Sequence, residues 1–208
     1  MDAAFWHSRW AANQIGFHEA DVHPMLRAHG ARLGAGGCVF VPLCGKSNDM
    51  PWLREQGHDV VGIELAEVAV RAFFAEHGIT ATQSTLDGFQ EFSAPGYRLL
   101  CGDFFALTRA TLGPCAAIYD RAALIALPPD MRRDYAARMT TLADSGTRML
   151  LITVQYDTQV LSPPPFAVAA EEVAGLYGQH WDIEDRGTRA ADVKGQMGSE
   201  QVFVLTRR

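Results

Sequence analysis

The 208-residue sequence is short of several features, and each absence closes off a class of function. No stretch approaches the roughly 18 consecutive apolar residues of a membrane span. Residues 1–10 carry Asp2, His7 and Arg9 but no apolar segment, which reads as no secretory signal. Positive charge is scarce: 18 Lys and Arg stand against 24 Asp and Glu, for a net charge of −6. A general grip on nucleic acid requires the opposite balance. The four cysteines, Cys38, Cys44, Cys101 and Cys115, form no C-x-x-C pair, and none has a histidine at zinc-finger spacing. The expectation is a cytoplasmic chain with reduced, buried thiols. Cys44, in a loop, is the one cysteine placed for catalysis. His18 and His23 find no third ligand at fitting spacing, so no metal site is expected. Internal repeats and low-complexity tracts are absent as well.

What is present is the composition of a folded domain, 48% hydrophobic and 20% charged. The length fits a single domain spanning residues 1–208. Short apolar runs at 38–43, 59–63, 97–101, 116–119, 149–154 and 201–205 read as strands. Amphipathic stretches at 49–56, 65–77, 128–142 and 169–177 read as helices, the first capped by Asn48 or Asp49. Near-continuous apolar strands alternating with helices imply a mostly parallel sheet covered on both faces, a doubly wound α/β fold. Ligands in such folds lie beyond the carboxyl ends of the strands. That directs attention to residues 43–47, 64–65, 103–105 and 120–122.

Two phosphate-binding patterns are missing there. Gly45-Lys46-Ser47 resembles the tail of a phosphate loop, but position 40 is Phe40 rather than glycine. The G-x-G-x-x-G pattern is absent too, so phosphates do not dominate binding. Glu64 ends the second strand nineteen residues after Gly45, where an acid accepts hydrogen bonds from ribose hydroxyls or caps the following helix. A ribose held without a phosphate loop points to a nucleoside cofactor such as S-adenosylmethionine. Asp103 with Phe104 and Phe105 suits an adenine ring, or a core aromatic pair. Arg121 has three partners open to it: a cofactor carboxylate, an anionic substrate, or Asp120 beside it. Phe5, Trp6, Trp10, Phe17 and His18 crowd the segment before the first strand. They read either as a helix packed on the sheet or as an aromatic lid, residues 1–30, closing over cofactor and an apolar substrate.

The residues Phe5-Trp6-His7, Trp10, Asn13 and Gly16-Phe17-His18 belong to a wider pattern. With them go Pro42-Leu43-Cys44-Gly45-Lys46-Ser47, Gly62-Ile63-Glu64-Leu65 and Cys101-Gly102-Asp103-Phe104-Phe105. Tyr119-Asp120-Arg121-Ala122-Ala123-Leu124 and Pro163-Pro164-Pro165-Phe166 complete it. In this order, over essentially the whole chain, they resemble the bacterial thiopurine S-methyltransferases. The resemblance implies a class I S-adenosylmethionine-dependent methyltransferase fold, with a seven-stranded sheet ending in an antiparallel pair at 181–186 and 201–205. It implies cofactor contacts at Trp10, Leu43, Glu64, Phe104 and Arg121, and acceptor contacts at Phe17 and Phe166. Arg121 would also serve catalysis. The acceptors would be thiopurines, other aromatic or heterocyclic thiols, and selenium or tellurium species, methylated by a monomeric enzyme. A nicotinamide-dependent oxidoreductase on a related sheet and a non-catalytic cofactor-binding protein are the competing readings. Residues 79–94 carry no recognisable signature.

Overall fold

The structure is a computed structural model that describes residues 3–208. Helix α1 (Ala3–Ala11) and the short α2 (Pro24–His29) precede strand β1 (Gly37–Val41). Then follow α3 (Asp49–Glu55), β2 (His58–Glu64), α4 (Glu67–Glu76), β3 (Thr82–Leu86), β4 (Phe89–Ala94) and β5 (Tyr97–Cys101). The chain continues through α5 (Arg109–Leu112), β6 (Ala117–Arg121), α6 (Pro129–Leu142) and β7 (Arg148–Gln155). It closes with α7 (Ala170–Tyr177), β8 (Trp181–Val193) and β9 (Gln196–Arg207).

Among the described residues the strands form one nine-stranded sheet, ordered β3-β4-β5-β2-β1-β6-β7-β9-β8. The five strands from β5 to β7 are mutually parallel, and β9 joins β7 antiparallel. These seven strands, β5 through β8, are the expected set. The sheet has nine because residues 79–94, read as featureless, add the antiparallel hairpin β3–β4 to the edge. Its turn is Asp87-Gly88, both at positive φ (50° and 87°), a two-residue connection whose twist matches paired strands. The outer strand β3 is Thr- and Gln-bearing and almost wholly exposed, which is why no apolar run announced it.

Successive side chains of the parallel strands feed opposite faces of the sheet. Phe40, Leu100, Ile118 and Leu151 join one apolar cluster with α6 and α7. Val39, Leu99, Ala117 and Leu150 join a second with α2, α3 and α4. Burial on both faces explains why the strands read as continuous apolar runs. Gly62 of β2 is required by this packing. A Cβ there would lie 2.7 Å from both Cys44 Sγ and Leu99 Cδ2.

Two local expectations are corrected. Asn48 stands at the N-cap of α3 but makes no capping bond; Ser47 Oγ instead accepts from the Asp49 amide at 3.1 Å. The four thiols are not all free: Cys38 on β1 and Cys115 just before β6 are joined by a disulfide, leaving Cys44 and Cys101 unbridged. The adjacent parallel strands β1 and β6 bring the pair together across 77 residues of sequence, a proximity that spacing alone does not reveal.

Candidate active site

The strand order reverses between β1 and β6, and a cavity of about 820 Å³ opens at the carboxyl ends of the strands there. That volume suits a nucleoside cofactor with a small second molecule. The backbone turns sharply at its rim. Leu43 and Ala122, neither of them glycine, sit at φ 47° and 61°, and both line the cavity. Left-handed backbone at non-glycine residues is strained and concentrates at functional sites. Gly45, at φ 53°, completes the first turn, and a Cβ on it would lie 3.0 Å from the Trp10 ring.

Glu64 closes the floor of this turn. It is 6% exposed, yet it lines the cavity. Its Oε2 accepts from the Gly45 amide at 2.9 Å and its Oε1 from the Ala66 amide at 2.8 Å. Burial raises its pKa, and the backbone amides of Ala66, Gly45 and Leu65 oppose that rise. The two oxygens together offer about four acceptor positions, more than these amides fill. Two neighbouring acceptors on one carboxylate match the two hydroxyls of a ribose. The capping and ligand readings of Glu64 are thus compatible, because one carboxylate serves both.

Cys44 is buried, and its thiol is pushed well above its ordinary value by burial and then by the Glu64 charge. A thiol held protonated is a poor nucleophile, so for Cys44 the buried-thiol reading stands over the catalytic alternative. Asp103 caps a single helical turn, accepting from the Phe105 amide at 2.9 Å. Phe104 packs on Tyr135 with ring centroids 4.7 Å apart and meets Phe105 edge-on. Both phenylalanines line the cavity, as do Trp10, Phe17 and Leu43. Phe166 does not. Its ring lies over the Arg132 guanidinium and its amide donates to the Ile125 carbonyl, so Pro164 and Pro165 form that wall instead.

Asp120 and Arg121 do not pair with each other. Neighbouring residues of a strand face opposite sides. Asp120 turns into the core, where it accepts from Tyr135 Oη at 2.8 Å and the Leu124 amide at 3.2 Å. Burial pushes its carboxyl up to about 6. Arg121 reaches the cavity and the segment before β1. Its Nη1 donates to the Phe17 carbonyl at 3.0 Å and its Nη2 to Glu19 Oε1. Trp10 is 8% exposed and packs with Ala66 and Ala69 beside α4, with Phe17 edge-on to it at 5.5 Å. The aromatic segment therefore both packs on the body and roofs the cavity. Residues 1 and 2 of the expected lid lie outside the described residues.

Several wall residues carried no sequence signal. Asp49, buried at the start of α3, accepts from Tyr119 Oη at 2.9 Å and from the His23 amide at 2.7 Å. The His23 ring meets Glu200 at 2.9 Å, and Glu200 also accepts from Arg189 at 3.0 Å. Burial works to raise the Glu200 carboxyl, but His23 and Arg189 outweigh it and hold it below the usual range. Strands β8 and β9 run longer than expected, and their tip brings Asp192, Val193 and Lys194 to the cavity.

Comparison with known proteins agrees with this geometry. The family profile of thiopurine S-methyltransferase matches residues 1–207. A thiopurine S-methyltransferase of Pseudomonas paraeruginosa is 50% identical over 187 residues, 89% of this chain and 86% of that protein. One from Pseudomonas syringae pv. tomato is 43% identical over 218 residues, covering 100% of this chain and 99% of the relative. The fold is shared with a Burkholderia thailandensis 1,6-didemethyltoxoflavin-N1-methyltransferase solved with S-adenosylhomocysteine. That match has a TM-score of 0.70 at 18% identity, over 99% of this chain and 86% of the other. Magnesium protoporphyrin IX methyltransferase of Synechocystis matches with TM-score 0.67 and 13% identity over 100% of both chains. Matched over residues 1–207 and 43–50% identical to these relatives, the chain belongs to the thiopurine S-methyltransferase family, enzymes that take their methyl group from S-adenosylmethionine.

Proposed function

We propose that the protein methylates the sulfur of thiopurines and of other aromatic or heterocyclic thiols, with soft selenium and tellurium species in the same acceptor class. The observation that carries this reading is the placement of Glu64 and Arg121 on one cavity, at the ends of β2 and β6 on either side of β1. When bound, S-adenosylmethionine supplies a methyl group on a cationic sulfur; transfer forms a bond to the acceptor sulfur, breaks the sulfonium bond and leaves S-adenosylhomocysteine. Glu64 would hold the ribose hydroxyls through its carboxylate. Leu43 and Trp10, which line the cavity, would pack against the cofactor, and Phe104 would border the adenine. Arg121 draws the acceptor thiolate and holds it in line. Acceptors of this class are already substantially ionised near neutral pH, so no strong base is needed. An anion and a cation become neutral products, so a dry site favours the reaction, and Trp10 and Phe17 exclude water. We place the enzyme in the cytoplasm as a monomer.

The decisive experiment is methyl transfer from labelled S-adenosylmethionine to a thiopurine and to thiophenol. Arg121→Ala should lower turnover while leaving S-adenosylhomocysteine affinity, read by titration calorimetry, much less affected. Rates equal to the parent at every pH would remove Arg121 from the reaction. The competing nicotinamide reading draws no support from the loop at 43–47, whose single glycine offers no room for a pyrophosphate.

A further inference from the structure

Arg121 is already engaged before any acceptor arrives. Its two terminal nitrogens bind the Phe17 carbonyl and the Glu19 carboxylate. Glu19 lies in the segment leading to α2, but its backbone is not loose. Asn48 Nδ2 donates to the carbonyls of both Glu19 and Ala20 at 2.9 Å, which ties this point to the loop after β1. The backbone at residue 19 is therefore held at the cavity wall, and the side chain reaches Arg121 from that fixed point. The neighbouring basic side chains meet other carboxylates. His23 Nε2 is 4.0 Å from Glu19 but 2.9 Å from Glu200, and Lys46 pairs with Glu76 at 2.6 Å.

A guanidinium has five N–H donors, so two bonds do not exhaust its hydrogen-bonding capacity. What Glu19 consumes is the charge. The Arg121 side chain is 14% exposed and that of Glu19 41%, so the carboxylate can swing into water while the guanidinium stays behind. We infer that Glu19 is a specificity-determining residue: it occupies the place of the acceptor's negative charge on Arg121, and an acceptor enters by displacing it. A thiolate can replace a carboxylate on the guanidinium. A neutral methyl thioether cannot, so Glu19 returns to Arg121 once the acceptor's charge has been lost in the transfer. This inference rests on the reading of Arg121 as the acceptor-side cation.

The test uses the intact protein saturated with S-adenosylhomocysteine and equilibrium dialysis against 4-nitrothiophenolate and its methyl thioether. Glu19→Gln keeps the length and a hydrogen bond but removes the charge. It should tighten thiolate binding about two- to fivefold, the scale of a half-exposed ion pair, and thioether binding by less. In steady state the same factor should appear in KM for the thiolate rather than in kcat. Glu19→Asp, which keeps the charge, should return both ligands towards the parent values. Unchanged or weaker thiolate binding in Glu19→Gln overturns the inference, as does equal tightening of thiolate and thioether, which would make Glu19 a steric plug. The parent reading fails separately, if the wild type transfers no methyl group; the dialysis still reports on Glu19 in that case.

Discussion

Asp120 shows how far a single residue can depart from its ordinary chemistry. Burial pushes its carboxyl up to about 6, so the folded protein holds a proton in a pH range where the unfolded chain has released it. Ionised Asp120 thus opposes folding above that pKa, and the penalty is relieved as pH falls through about 6. Against the non-titrating Asp120→Asn, the wild type should gain about 1 kcal/mol of relative stability between about pH 7 and 5, measured by urea unfolding. A constant difference would return the carboxyl to its usual range. Glu64→Ala should weaken S-adenosylhomocysteine binding by roughly 1–3 kcal/mol in calorimetry. It also leaves the Gly45 and Ala66 amides without their acceptor, so the melting temperature should fall as well. Glu64 was legible because an acid directly after a β-branched run marks a strand end. Asp49, Tyr119, Glu19 and Glu200 were not. Tyr119 reaches Asp49 across 70 residues and His23 reaches Glu200 across 177, and no local pattern encodes such pairings.

At the scale of elements, hydrophobic pattern carried the parallel strands and helices α3, α4, α6 and α7, since burial on both sheet faces leaves an apolar signature. Hairpins were harder to see. The exposed β3 has no apolar run, and its one signal is the Asp87-Gly88 turn; Lys194-Gly195, at φ 53° and 79°, plays the same part between β8 and β9. The packing of β2 makes Gly62→Ala a strict test. The added methyl meets Cys44 and Leu99 in the core, and overpacking of this kind costs about 1–3 kcal/mol, read as a shifted urea midpoint with an unchanged slope. Strands β1 and β6 offer another. Protein purified under oxidising conditions, then unfolded and alkylated, should take label at Cys44 and Cys101 alone, and at all four cysteines after reduction. Four labelled cysteines without reductant would mean that Cys38 and Cys115 do not pair.

For the molecule as a whole, occupancy of the cavity should couple to global stability. S-adenosylhomocysteine at 100 times its dissociation constant should add about 2.7 kcal/mol to unfolding, visible as a raised melting temperature. Among the described residues no helix is long and apolar enough to cross a membrane. The cavity has two kinds of wall. One is made of strand ends and core residues: Leu43, Glu64, Phe104 and Tyr135, each tied to sheet or helix packing. The other comes from surface segments: residues 16–19, Pro164 and Pro165, and the β8–β9 tip at 192–194. Inheritance can act on these walls independently. Drift in the peripheral segments can retune which molecules are accepted without disturbing the architecture that grips the methyl donor, so grafting those three stretches from a relative should transplant its substrate range.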